Sequence, residues 1–198
     1  MNQISLEELC DELWEGLGGE VLSVIPSSQY GLKIKFQCED WGSSRQVRNF
    51  IITCHEVADS TVCPVQCDEL AFDKEHVVLW KHNLPHFQLF YNSVPKNAYE
   101  TLGRLLEVHD KTFSAAGAIS EFVDPVNFLK YNSGGLGLLA RGPEPQLKVY
   151  RDAILEQVNT YMVSSYEPKG GFSVLWFEVG HVIARSFEIE EIFESIEE

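Results

Sequence analysis

The two ends of the chain lack basic residues. Residues 1–32 contain six acids and no Lys or Arg, and residues 186–198 contain six more acids, again without a base. Residues 33–185 carry 18 acids against 15 bases, so −12 of the net charge of −15 falls at the ends. Such a one-signed field repels nucleic acid and anionic membrane and attracts basic proteins. The sequence therefore predicts a basic protein partner and no binding of nucleic acid or membrane.

A long apolar run is also lacking. No stretch approaches the roughly 20 apolar residues that span a bilayer, and the acidic N-terminal segment has no basic region of the kind that begins a secretory signal. The cysteines number five, and an odd number is typical of reduced thiols rather than of a disulfide framework. These features predict a cytoplasmic protein.

No catalytic or cofactor fingerprint is present. The chain contains neither G-x-x-x-x-G-K-[ST] nor G-x-G-x-x-G nor a G-x-S-x-G elbow. Cys63 and Cys67 are separated by three residues rather than by the two of a redox pair, and Cys54 and His55 would point to opposite faces of a strand. The sequence therefore predicts no cofactor and no metal, although metal binding by Cys54, Cys63, Cys67 or the histidines stays open.

Helical periodicity predicts four helices. Ser5 and Glu8 have the spacing of a capping box at the start of the first helix, and Asn97 is a suitable cap for the second. His109 lies on the apolar stripe of the second helix, so we interpret it as a hydrogen-bonded core residue. The predicted helices are residues 5–17, 97–113, 144–159 and 188–197.

Alternation of apolar and polar residues predicts strands between these helices. Residues 30–38 alternate with a period of two, and residues 20–92 as a whole have the pattern of an antiparallel meander, including a strand at 76–81. Further strands are expected within 160–187. This order predicts an α+β fold with helices packed on antiparallel sheet, in one sheet or two. The length favours a single domain over 1–198, with any subdivision near 114–143.

Two interpretations fit the acidic ends. The acids are either the solvated faces of two amphipathic helices or a docking surface for a basic partner. Clustered carboxylates imitate the charge of a nucleic-acid backbone, so our functional hypothesis is an acidic protein-binding module: an inhibitor or immunity-type protein that neutralises a basic toxin or nuclease. The candidate partner-binding residues are Asp11, Glu12, Glu15, Trp41, Glu190, Glu191 and Glu194.

Two alternatives remain open. A glycine-rich loop at 132–142 would let backbone N–H groups approach a ligand, so an enzyme or small-ligand domain would have its pocket there. Its candidate ligand-binding residues are Ser133, Gly134, Gly135 and Arg141. The third interpretation is a structural subunit whose terminal helices pack on another chain. No catalytic residue is assigned, and binding is favoured over catalysis.

Overall fold

The computed structural model describes residues 5–12, 18–27, 31–40, 46–67 and 69–192. These residues form five α-helices and twelve β-strands, which confirms the predicted α+β class. The helices are α1 (Leu6–Glu12), α2 (Trp80–Asn83), α3 (Ala98–Thr112), α4 (Pro125–Tyr131) and α5 (Glu144–Ile154). The strands are β1 (Gly19–Ser27), β2 (Gly31–Asp40), β3 (Gln46–His55), β4 (Asp59–Ser60), β5 (Val65–Cys67), β6 (Leu70–Asp73), β7 (His86–Tyr91), β8 (Gly137–Pro143), β9 (Thr160–Tyr166), β10 (Ser173–Phe177), β11 (Gly180–Ala184) and β12 (Ser186–Ile192).

The chain divides into two compact units. The first unit joins Met1–His76 to Gly171–Glu198, and the second comprises Val77–Gly170. Residues 114–143, where the sequence placed any subdivision, lie inside the second unit. Folding of the whole chain as a single domain stays a prediction.

The first unit contains two antiparallel sheets and α1. Its five-stranded sheet has the order β12-β3-β2-β1-β5, and its four-stranded sheet has the order β4-β11-β10-β6. Alternation along β2 buries Ile34 and Phe36 and exposes Lys33 and Lys35, as the period of two predicted. The buried faces of both sheets and the apolar face of α1 form one hydrophobic core. This core holds β12 at the edge of the larger sheet.

The second unit packs helices against a three-stranded sheet. The strand order is β8-β7-β9, and α3, α4 and α5 contribute to a core of their own. The Asn97 side chain accepts hydrogen bonds from the N–H groups of Tyr99 and Glu100, both at 3.1 Å, which confirms the predicted cap of α3. His109 is 2% exposed and hydrogen-bonded, as its position on the apolar stripe predicted.

The predicted helix at 188–197 is wrong over the described residues. Residues 186–192 form β12, which pairs antiparallel with β3, and residues 193–197 lie outside the described part of the chain. Phe187 and Ile189 alternate with Glu188 and Glu190, and this period of two fits the edge of a sheet that already buries the neighbouring strand. Tertiary pairing therefore overrides the helical spacing of the isoleucines.

Other boundaries also differ from the prediction. Residues 77–79 form a 3-10 helix and residues 80–83 form α2 where a strand at 76–81 was expected. The meander holds only for β1, β2 and β3, because β5 returns to pair with β1 and β6 pairs with β10. The predicted helix 144–159 ends at Ile154. Of the predicted helix 5–17, α1 covers 6–12, and residues 13–17 lie outside the described residues.

Candidate functional site

The fold brings acid-rich segments from both ends of the chain to one groove in the first unit. This groove, here named the β12 groove, has a volume of about 710 Å³. Both the N-terminal end of α1 and residues 186–190 of β12 contribute to its walls. It is lined by residues 5–8, 51, 53, 72, 74, 173 and 185–190.

Local sequence positions the acids of the groove. Ser5 and Glu8 form the predicted capping box: the Glu8 N–H donates to Ser5 Oγ at 3.1 Å, and the Ser5 N–H donates to a Glu8 carboxylate oxygen at 2.8 Å. On β12, Glu188 is paired with Thr53 and Glu190 with Ile51 in the register with β3. Since side chains alternate along a strand, both carboxylates project from the same face of the sheet.

Only some of the carboxylates in the groove have an ion-pair or hydrogen-bond partner within the described residues. Glu7 forms a 2.5 Å ion pair with Lys74, and a Glu188 oxygen lies 3.4 Å from His55 Nε2. The backbone N–H of Ser5 and then its hydroxyl lower the pKa of Glu8. Glu190 has no ion-pair partner among the described residues.

The net charge of the groove is negative. Its lining contains the carboxylates of residues 7, 8, 188 and 190 against the two cations Lys74 and Arg185. Both cations already face carboxylates: Lys74 pairs with Glu7, and the guanidinium of Arg185 lies 2.9 Å from Glu56. Neither cation is therefore positioned to repel a basic ligand strongly.

The predicted partner-binding residues divide into four groups. Glu190 lines the groove, whereas Asp11 is exposed on α1 but does not line it. Glu191 forms hydrogen bonds of 2.7 and 3.1 Å with Arg48, and its side chain is 13% exposed, so this ion pair already uses the carboxylate. The side chain of Glu12, together with Glu15, Trp41 and Glu194, lies outside the described residues.

Several groove residues were missed at the level of the sequence. Glu7, Glu8 and Glu188 were counted among the acids of the ends, but nothing in their local pattern distinguished them from their neighbours. Lys74 carries no local signal, because only the pairing of distant strands brings it to α1. Nothing in the local sequence marks Arg185 either, although it directly precedes β12. The one available signal was the alternation of Phe187 to Glu190, which marks a strand and so places both acids on one face.

A second cleft, of about 760 Å³, lies in the other unit and is here named the Arg141 cleft. Its lining includes Gly134 and Arg141 from the predicted ligand site, whereas Ser133 and Gly135 do not border it. Gly135 adopts a φ of +67°, a left-handed conformation that glycine tolerates and that turns the chain into β8. The glycine-rich loop therefore forms a tight turn beside a cleft.

The walls of the Arg141 cleft combine apolar side chains with a few polar groups. Tyr131 and Leu136 are 55% and 63% exposed. Asp124 caps α4 by accepting the Asn127 N–H at 3.0 Å, and this hydrogen bond lowers the pKa of Asp124. The carboxylate therefore has a local structural partner, and the positive charge of Arg141 also lowers the pKa of Asp124.

The cysteines do not converge on a metal site in the described residues. Cys54 is buried on β3 and Cys67 is buried on β5, whereas Cys63 is exposed. Across the described part of the chain, no group of three or more Cys, His, Asp or Glu side chains has a geometry that holds a metal ion. Burial raises the pKa of Cys54 to about 12, which suppresses the thiolate that binds metal or attacks a substrate.

One contact has the composition of a catalytic triad. His181 Nδ1 lies 3.1 Å from Thr61 Oγ1, and His181 Nε2 lies 3.7 Å from Asp59 Oδ2. However, Thr61 Oγ1 also accepts the backbone N–H of His181 at 3.1 Å, so the hydroxyl belongs to the contact between neighbouring strands. None of the three residues borders the β12 groove or the Arg141 cleft. The arrangement is explained as cross-strand pairing.

Comparison of the chain with protein-family models, with curated proteins and with solved structures finds no match. In the part of the chain that the structure describes, no helix combines the length and the apolar character that crossing a membrane requires.

Proposed function

We propose that this protein is an acidic protein-binding module and that the β12 groove receives a basic segment of its partner. The observation that supports this function is the convergence of acids from α1 and β12, which lie at opposite ends of the sequence, on one groove. Carboxylates gathered on one concave surface attract cationic side chains and disfavour anionic ones.

The charge of the whole chain would assist this binding. A net charge of −15 attracts a basic protein over several ångströms, and the groove then supplies short-range contacts. Added salt screens the long-range part, with a Debye length of about 10 Å at 0.1 M. Association with a basic partner should therefore slow as the salt concentration rises. An inhibitor or immunity-type protein that covers the cationic cleft of a toxin or nuclease is the specific form of this function that we propose.

A charge-reversal experiment tests the location of binding. The probe is a fluorescent octalysine peptide, and its affinity for the full chain is measured by anisotropy at low and high salt. Glu188→Lys/Glu190→Lys should weaken binding at least about tenfold, because it replaces two attractive charges in the groove with repulsive ones.

The matched control reverses two exposed acids of the second unit, Asp110 and Glu167, to Lys. This variant has the same net charge as the groove variant and should change the affinity less than about threefold, since neither residue lines the groove and exposed charges are screened by salt. Equal weakening by the two variants would show that only net charge matters, and the proposed site would then be wrong. Capture of cellular proteins at the two salt concentrations, with identification by mass, tests the inhibitor form.

The Arg141 cleft supports a second candidate function, the binding of a small ligand. Its volume lies within the range of about 300–1,000 Å³ that is usual for ligand sites. The exposed side chains of Tyr131 and Leu136 suit an apolar body, and Arg141 suits one anionic group. Titration with an aromatic carboxylate such as naphthoate, followed by chemical-shift changes at residues 134–141, tests this function. Arg141→Ala should abolish the shifts, whereas Lys169→Ala, at an exposed lysine that does not line the cleft, should leave them unchanged.

A further inference from the structure

We propose that the β12 groove binds its basic segment as an added β-strand along β12, and that this segment alternates basic and apolar residues. This inference rests on the proposed function, since it specifies how the same groove recognises its partner. Binding would then require a defined backbone geometry and a defined residue pattern in the partner, in addition to attraction between charges.

The position of β12 in the sheet provides the first step. β12 is at the end of the strand order β12-β3-β2-β1-β5, and β3 is its only strand neighbour among the described residues. An edge strand presents one row of backbone N–H and C=O groups away from its sheet, and these groups can pair with an incoming extended chain.

The lining of the groove shows that it follows this edge. Six consecutive residues, 185–190, border it. Consecutive strand residues point to opposite faces of a sheet, so a depression over one face would be lined by every second residue. Contact with Phe187 and Ile189 as well as with Glu188 and Glu190 places the groove along the edge that joins the two faces. Ile51 and Thr53, which are paired with Glu190 and Glu188, also line it, so the groove extends from this edge over the glutamate face of β3.

The two faces of β12 define the residue pattern of the partner. Glu188 and Glu190 are exposed on one face, and Phe187 and Ile189 are half-buried on the other, where the ring of Phe187 meets that of Phe72 at 5.7 Å. An added strand continues the pleat, so its side chains lie beside those of β12 on each face. Lys or Arg would therefore lie beside the glutamates, and apolar residues would lie beside Phe187 and Ile189.

Charge complementarity favours a basic segment over a second copy of this chain. Pairing of two β12 edges would bring the glutamates of both copies onto shared faces, where adjacent like charges are destabilising. Charged side chains on an edge strand are a recognised protection against such self-pairing. The same carboxylates attract a cationic strand.

Synthetic peptides provide the test, and the protein itself is the full unmodified chain. One labelled eight-residue peptide alternates Lys and Val, and a second contains four Lys followed by four Val, so that both have the same charge and composition. Two further versions of the alternating peptide carry backbone N-methyl groups on the odd or on the even residues. Because only one edge of an added strand faces β12, one methylated set removes the hydrogen bonds to β12 and the other points away from it.

We expect the alternating peptide to bind at least about tenfold more tightly than the block peptide. One N-methyl set should weaken the binding of the alternating peptide about tenfold or more, because two or more hydrogen bonds to β12 are lost. The other N-methyl set should change the affinity less than about threefold. If both N-methyl sets have equal effects, or if block and alternating peptides bind equally, strand addition is wrong while the basic-partner function stands. If no cationic peptide binds at low salt, both are wrong.

Discussion

Removal of one buried hydroxyl should destabilise the second unit strongly. Tyr150 lies between two polar side chains: its hydroxyl oxygen is 2.6 Å from His109 Nδ1 and 2.8 Å from Gln146 Nε2. His109 Nε2 lies 2.9 Å from the carbonyl oxygen of Gly117, which can only accept, so Nε2 carries a proton and donates. In a neutral imidazole Nδ1 then accepts, so the Tyr150 hydroxyl donates to Nδ1 and accepts from the Gln146 amide.

The size of the effect follows from what Tyr150→Phe leaves behind. His109, Gln146 and Tyr150 are at most 2% exposed, so water does not replace the missing partner. An acceptor on His109 and a donor on Gln146 each lose a hydrogen bond, at about 1–3 kcal/mol per buried group. We expect a loss of about 2–6 kcal/mol from the two groups together, with no added packing cost because Phe retains the ring contact with Phe113.

Urea unfolding followed by circular dichroism measures this loss, with hydrogen exchange at α3 and α5 to locate it in the second unit. The control Tyr166→Phe removes a hydroxyl from a side chain that is 60% exposed and should change stability by less than about 0.5 kcal/mol. Adding Gln146→Met to Tyr150→Phe should cost less than the sum of the single changes, because the two residues share one hydrogen bond. A loss below about 0.5 kcal/mol for Tyr150→Phe would refute the reasoning.

Two further predictions concern the thiols and one close glycine contact. A thiol reagent at pH 8 should react quickly with the exposed Cys63 and slowly with Cys10 and Cys54. Burial raises the pKa of these two thiols to about 12 and so reduces their thiolate fraction about a thousandfold. A fast phase that persists in Cys63→Ser would contradict this prediction. Gly137→Ala should destabilise by about 1–3 kcal/mol in urea unfolding, because its new methyl group would lie 2.5 Å from the hydroxyl oxygen of the buried Tyr91. The control Gly103→Ala, with no neighbouring atom within 4 Å inside α3, should stabilise by up to about 1 kcal/mol.

Local chemistry explains which parts of the fold were predictable. The capping box of Ser5 and Glu8 and the cap at Asn97 act within three residues, so the sequence contains all the information they need. The alternation along β2 similarly reflects one buried and one exposed face. His109 was assigned to the core because its apolar neighbours on α3 recur at helical spacing.

Pairing between distant segments explains the failures. The isoleucines of 186–197 recur at a spacing that suits a helix, and the same residues alternate with glutamate in a way that suits a strand. The choice is made by β3, which presents a seven-residue register from Asn49 to His55 to β12. The β12 groove depends on this choice, since in a helix Glu188 and Glu190 would point about 200° apart and would not share one face.

The strand geometry also changes the role that we assign to the glutamates of β12. As helix faces, the glutamates of 188–191 needed no role beyond contact with water. On an edge strand the exposed carboxylates have a specific consequence, because like charges disfavour pairing between two copies of an edge that has only β3 as a strand neighbour among the described residues. Glu191 is already paired with Arg48, which leaves Glu188 and Glu190 to set the charge of the edge. Reversal of these two residues to Lys keeps like charges on the edge and therefore keeps its protection, while it removes the attraction for a basic strand. If this variant no longer binds the basic peptide but still does not self-associate, the two effects of residues 188 and 190 are separated: attraction of a basic strand and repulsion of a second copy.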